Sequence, residues 1–171
     1  MSTPYLSRPS IRYRESFLAA LRETHAEGRR MYWEYDDAAA DFPVFVRSLL
    51  DREYNPPSKR APESCYWLVK GRDYIGTVSV RHRLNDSLRE FGGHIGYEIR
   101  PTLRRRGYGT LICKLGLEKA RQLGIKRVLI TCDDNNIASA RIIEANGGVL
   151  QDVRLLDWRY VPTCRYWVEI E

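Results

Sequence analysis

No run in this chain of 171 residues approaches the roughly 18 consecutive apolar positions needed to cross a bilayer. Its first residues also lack the charged-then-apolar pattern of a secretory leader. These absences argue against a membrane role and for a cytoplasmic protein. Cysteine is scarce, with only Cys65, Cys113, Cys132 and Cys164. The four lie far apart and form no C-x-x-C pair, so metal-ligand spacing is missing and no metal is expected. They read as reduced core or strand residues. No repeat, low-complexity tract or linker interrupts the chain, which leaves one domain over residues 1–171. No recognised nucleic-acid-binding motif is present, so the net charge of +6 points first to anionic ligands, with nucleic acid or an acidic surface behind them.

What the chain does contain is enough for a folded core. At this length about 70% of the unfolded surface can be buried. Eleven Tyr and four Trp are too many apolar rings for a disordered segment. A short strand is expected around Tyr5–Ser7 and a helix over 10–26, with Ile11, Phe17, Leu18 and Leu21 as its buried stripe and Gly28 closing it. Residues 29–35 mix rings and charges. They read either as an acceptor-binding wall or as a connector that packs its rings on the core. A second helix is expected over 37–51, with Pro43 in its first turn or at a kink. Pro56, Pro57 and Pro62 mark a loop.

Cys65–Lys70 and Tyr74–Arg83 read as a hairpin, with Ile75, Thr77, Ser79 and Arg81 on one face. A polar loop over 84–91 follows. A strand over 94–99 leads to a helix that starts near Thr110 and ends near Gly124. The apolar run Arg127–Cys132 suits a strand covered on both faces. Residues 133–136 form a turn and an N-cap, and a helix over 137–146 stops at Gly147 and Gly148. Two last strands, 149–156 and 164–170, are expected to be antiparallel. The 94–99 and 127–132 strands are joined by a helix and should be parallel, with a right-handed crossover. The fold class is mixed α/β, a central mixed sheet flanked by helices.

The stretch from Gly92 to Gly109 organises the rest. A short strand ends at Pro101. Three arginines (Arg104, Arg105 and Arg106) and two glycines (Gly107 and Gly109) come next, and a helix follows. The first turn of a helix carries backbone N–H groups without intrahelical partners and the positive end of the dipole. Glycine lets the backbone come close to a ligand or take positive φ. Strand, basic glycine loop and helix in that order make a phosphate site. The bland alternative is that the arginines are a solvated charged face.

Arg104-x-x-Gly107-x-Gly109 resembles the Arg/Gln-x-x-Gly-x-Gly/Ala signature of the GNAT N-acetyltransferase superfamily, and Ile99-x-Pro101 resembles the strand end before it. A second block, Asn136-Ile-Ala-Ser139 followed by Glu144 and Gly147-Gly148, is similar to the Asn-x-x-Ser…Glu-x-x-Gly helix of the ribosomal-protein-type N-acetyltransferases. The two blocks span 92–148 in family order. The resemblance implies a GNAT-like fold in which the parallel pair is splayed around the cofactor, and transfer of an acetyl group from acetyl-CoA to a primary amine of a small molecule or protein. It implies that Ile99, Arg100, Arg104, Arg105, Arg106, Gly107, Tyr108, Gly109, Thr110, Asn136 and Ser139 bind acetyl-CoA. A homodimer is compatible with it. Nothing in residues 1–64, where the family binds its acceptor, identifies the amine.

The catalytic residues are less legible. Many family members carry a tyrosine four positions after the serine, as acid for the leaving thiolate; here that position is Ile143. Ser139 is the nearest substitute, unless it is only a polar helix-surface residue. On an ideal strand His94, Gly96 and Glu98 share one face and Gly93, Ile95, Tyr97 and Ile99 the other. His94 and Glu98 are the candidate bases, against packing or pairing with the flanking helix. Tyr166, on the last strand, is a candidate site residue or a core residue. The absent tyrosine keeps a CoA-binding module with little catalysis as an alternative, and the positive charge keeps a nucleic-acid binder as a weaker one.

Overall fold

A computed structural model of the chain describes residues 3–29 and 35–171. Most of the aromatic segment 29–35, read above as a candidate acceptor wall, lies outside the described residues. Strand β1 (Tyr5–Ser7) precedes α1 (Arg14–Ala26), α2 (Tyr35–Ala40) and α3 (Phe42–Asp51). Then come β2 (Glu63–Lys70), β3 (Asp73–Arg81), α4 (Asp86–Glu90), β4 (Ile95–Ile99), α5 (Tyr108–Gln122), β5 (Arg127–Asp133), α6 (Ile137–Ala145), β6 (Val149–Arg154) and β7 (Thr163–Glu169). The strands form one sheet in the order β1-β2-β3-β4-β5-β7-β6. Only the β4–β5 pair is parallel, as the helix between them requires. Among the described residues no helix is long and apolar enough to cross a membrane.

The sheet is covered on both faces. On one, Ile75, Val78, Val80, Ile95, Ile99, Val128 and Ile130 pack with Ile112, Cys113, Leu117 and Ala120 of α5 and Ile143 of α6. On the other, Cys65, Trp67, Val69 and Tyr74 pack with Phe17, Leu18 and Leu21 of α1 and Phe42, Phe45 and Leu49 of α3. The Phe17 ring stacks on Trp67 with centroids 4.6 Å apart. All four cysteines are free and buried. Burial raises the Cys65, Cys113 and Cys132 thiols to about 12.

Several expectations change. Ile11, read as part of the buried stripe of the first helix, is exposed and lies in a 3-10 turn, Ile11–Tyr13, ahead of α1. The helix read over 37–51 is two helices. Asp41 breaks it and accepts a hydrogen bond from Val44 N at 3.0 Å, while Pro43 sits in the first turn of α3. A proline inside a continuous helix would clash with the carbonyl four residues earlier, so the chain restarts instead. The loop over 84–91 contains α4, which is capped by Asn85 through Leu88 N at 2.9 Å. The simple alternation of the hairpin is broken by a bulge: Leu68 faces Gly76 while Val69 faces Tyr74, leaving Ile75 unmatched. The extra residue turns Ile75 to the α5 side with Val78 and Val80. It brings Tyr74 and Thr77 onto the other face, where their hydroxyls lie 2.6 Å apart, as a bulge shifts the phase of everything beyond it.

Candidate active site

β4 and β5 begin side by side and then part. Their ladder has the single register pair Ile95–Ile130, whereas β3 stays paired with β4 out to Ile99. Arg81 N donates to His94 O and Arg100 N donates to Ile75 O, at 2.7 and 2.8 Å. Even-numbered residues of β4 therefore bond to β3. The backbone groups of Tyr97 and Ile99 point the other way, toward the gap that β5 has left. A cleft of about 370 Å³ opens there, lined by Gly96, Tyr97 and Glu98 of β4, Ile130, Thr131, Cys132 and Asp133 of β5, and Asn136 and Ser139 beyond it.

At the end of β4 the chain turns through a short 3-10 stretch, Pro101–Leu103, and enters α5. Gly107 caps α5 at φ 81°, a left-handed conformation, and a Cβ there would meet only open space. The glycine is needed for its backbone angle. Arg105 is also left-handed, at φ 58°. The N–H groups of the first turn of α5, which begins at Tyr108, Gly109 and Thr110, are the helix-start donors that the sequence points to.

The three arginines separate. Arg104 is engaged within the fold: Nε donates to Ile99 O at 3.1 Å, one terminal nitrogen reaches Glu27 at 2.9 Å, and the other reaches Glu98 at 3.4 Å. Arg105 and Arg106 are exposed, without a side-chain partner among the described residues. Arg100 turns to α1, where Nε and a terminal nitrogen donate to Glu23 at 2.8 and 2.6 Å and another reaches Ser16 at 3.2 Å. Its side chain is thus committed to α1, while that of Arg104 is held between Glu27 of α1 and Ile99 O and Glu98 at the end of β4.

On the opposite wall Asn136 caps α6, its Oδ1 accepting from Ser139 N at 3.1 Å. Ser139 Oγ lies 2.8 Å from the hydroxyl of Tyr97. Burial raises the Tyr97 phenol, against the pull of its Ser139 bond, so the ring stays protonated. This pair bridges β4 and α6 across the cleft. The sequence reading put Tyr97 on the strand face opposite His94 and Glu98 and gave it no role. The signal for its actual contact is weak, because the partner lies 42 residues away. The position where many family members carry tyrosine, Ile143, is fully buried in the core.

The other candidates divide as follows. Glu98 faces the cleft, within 3.4 Å of Arg104 and 3.6 Å of Arg29. Both contacts fall on Oε1, and among the described residues Oε2 has no hydrogen-bond partner. His94 is buried beside the cleft rather than in its lining. Its Nδ1 accepts from Leu129 N at 2.9 Å, which fixes a neutral ring with its proton on Nε2. Burial, then the charges of Arg89 and Arg81, lower it to about 4. Tyr166 is a core residue on the α5–α6 face whose hydroxyl donates to Glu144 at 3.3 Å. It does not line the cleft.

The chain as a whole has counterparts in sequence and in structure. The model of the acetyltransferase (GNAT) domain matches residues 6–149. The chain belongs to the GNAT acetyltransferase family. Members of that family move an acetyl group from acetyl-CoA to an amine, and this GNAT chain is an enzyme of that kind. Its fold is similar to that of the microcin C7 self-immunity acetyltransferase MccE, solved with acetyl-CoA and AMP, at 17% identity and a TM-score of 0.70 over 96% of this chain and 91% of that one. It is similar to the Salmonella typhimurium acetyltransferase that modifies the N-terminal serine of ribosomal protein L7/L12, at 15% identity and 0.69 over 100% and 97%. It is also similar to Mycobacterium smegmatis RimJ, solved with CoA-disulfide, at 11% identity and 0.73 over 96% and 80%. No curated protein matches the chain in sequence.

Proposed function

We propose that acetyl transfer takes place in the β4–β5 gap, with Ser139 and Tyr97 on one side of the thioester and Glu98 on the acceptor side. The observation that carries this reading is the Tyr97–Ser139 bridge across a gap whose backbone groups have no strand partner. The features present suit acetyl-CoA as cosubstrate. The first-turn N–H groups of α5, with Arg105 and Arg106, would take the pyrophosphate. The outward backbone of Tyr97 and the N–H of Ile99 would pair with the pantetheine arm, and Asn136 Nδ2, without a partner among the described residues, would join it. Acetyl-CoA supplies the activated acyl group, and the protein supplies placement and proton movement.

The amine must be neutral to attack. For a lysine-like amine at pH 7 that costs about 4–5 kcal/mol, and Glu98 Oε2 can take the proton directly or through water. On the far side the leaving sulfur needs a proton. Tyr97, protonated and aimed at Ser139 Oγ, can donate to that oxygen and leave the serine's own hydrogen free for the sulfur. Donation of this kind strengthens as charge develops, so it acts on the chemical step more than on binding. His94 and Tyr166 have no part in this scheme; one accepts from a backbone N–H and the other is packed in the core.

Appearance of free thiol from acetyl-CoA across a panel of primary amines tests the reading. Amine-dependent release with matching N-acetylated product is expected. Binding of acetyl-CoA with no transfer to any amine would leave a cofactor-binding module instead.

A further inference from the structure

The cleft has a charge pattern that the transfer chemistry does not use. Glu98 lies toward one end. Toward the other the walls carry Arg52, Arg60 and Arg81, with Glu63 the acid among them. Glu63 is shared: Arg81 Nε lies 3.2 Å and Arg52 3.5 Å from its two oxygens. Arg81 also donates to the carbonyls of Gly92 and Gly93, at 2.9 and 3.2 Å, which fixes its guanidinium. The third acid of the cleft, Asp133, is held by Arg159 at 2.5 Å. Arg60 has no side-chain partner among the described residues.

A second recess of about 260 Å³ continues from this end. It shares Arg52, Arg60, Glu63 and Arg81 with the first and adds Lys59, Asn85 and Ser87. The loop that presents Arg60 is held in shape. Lys59 is left-handed at φ 66°, Arg60 N bonds to Pro57 O at 3.0 Å, and Asn85 Nδ2 donates to Lys59 O at 3.3 Å. A non-glycine residue kept in that region is paid for by its surroundings. Among the described residues cations therefore outnumber acids at this end of the cleft, and one guanidinium, that of Arg60, stands ready for a planar or tetrahedral oxyanion.

We propose that the acceptor is a small amine that carries an anionic group, a carboxylate or a phosphate, and that Arg60, with Arg52 and Arg81 behind it, binds that group while the amine reaches the Glu98 end. This rests on the acetyl-transfer reading of the same cleft. The arginine cluster serves that reaction by placement. It anchors the anion by paired N–H donors and so sets where the amine reaches along the cleft. The recess has the size of a small substituent, which favours a free small molecule over a peptide chain.

The test compares charge-matched pairs at saturating acetyl-CoA: O-phosphoethanolamine against ethanolamine, and a short ω-amino carboxylate against its amide. The anionic member of at least one pair should have a kcat/KM at least tenfold higher, and the phosphate and carboxylate arms show which oxyanion is preferred. Arg60→Gln, an exposed change, should erase about tenfold of that preference through KM while the acetyl-CoA dissociation constant stays the same. Calorimetry of O-phosphoethanolamine with the CoA-saturated protein, wild type against Arg60→Gln, gives a readout independent of turnover. Equal use of charged and neutral amines, indifference to Arg60→Gln, absence of any binding by the CoA-saturated protein, or strong preference for an acidic peptide N-terminus would each overturn the proposal. Failure of acetyl-CoA itself to bind is a different result and would overturn the reading on which it rests.

Discussion

At the scale of single residues, the site depends on which polar groups are free and which are engaged. His94 is engaged. Its folded value of about 4 lies below the usual 6.5 because of burial first and the Arg89 and Arg81 charges second. Below about pH 6.5 the unfolded chain takes up a proton that the folded chain refuses until about pH 4. The stability from this group is therefore complete above pH 6.5 and is lost as pH falls toward 4, on the order of 3 kcal/mol in all. Urea denaturation of wild type and His94→Gln at pH 7 and pH 5 checks this. The stability lost between the two pH values should be about 2 kcal/mol smaller in the variant; an unchanged loss would mean that the ring is not held neutral. Tyr97 and Ser139 are engaged with each other at the wall of the cleft. Ser139→Ala should lower kcat about tenfold or more with little change in acetyl-CoA affinity. Tyr97→Phe, which keeps the packed ring, should lower kcat by less. The double variant should be no slower than Ser139→Ala, because Tyr97 acts through the serine. Additive losses in steady-state kinetics would show that the two act separately.

At the scale of elements, the start of α5 and the packing of α5 on α6 shape the cofactor end. Gly107 and Gly109 read alike in the sequence, as two small residues at a phosphate loop, and the structure gives them different work. Gly107 has open space and a left-handed φ. Gly107→Ala should cost about 1–2 kcal/mol in backbone strain with no new clash. Gly109 lies inside α5, and a Cβ there would come 2.5 Å from Ile142 Cδ1 of α6. Gly109→Val should displace the Ile142 side chain and press on α6, which carries Ser139, costing about 1–3 kcal/mol by overpacking and weakening acetyl-CoA binding indirectly. Thermal melts beside acetyl-CoA titrations separate the two; a Gly109→Val protein of wild-type stability that still loses affinity would restore direct steric obstruction of the ligand as the cause. The order of elements and the helix start were legible because they rest on local signals: an apolar strand, Pro101, a basic run and two glycines. The ion pairs of Arg100 and Arg104 with α1 were not. They depend on Glu23 and Glu27, 77 residues away in each case, and nothing local in the sequence ties those positions together. The bulge at Ile75 was hidden for the same reason, because it is a property of the β2–β3 register and not of either strand alone.

At the scale of the molecule, the seven-stranded sheet holds two cores apart and lets one pair of strands diverge between them. The parallel placement of β4 and β5 followed from the helix that joins them, and the gap is what their early separation leaves. That gap is the part of the site the sequence could suggest only by resemblance, since the pattern of either strand is compatible with full pairing. A ligand that binds only the folded state stabilises it by mass action, about 2.7 kcal/mol at a hundredfold excess over its dissociation constant. For a chain of this size that raises Tm by about 5–10 °C. The most direct measurement is therefore a titration of acetyl-CoA into the protein, followed by calorimetry and by melting temperature. One site per chain is expected, with a rise in Tm of that size at saturation, and Tyr97→Phe should leave both unchanged. No heat and no shift at millimolar acetyl-CoA would contradict the assignment of the β4–β5 gap as the acetyl-CoA site.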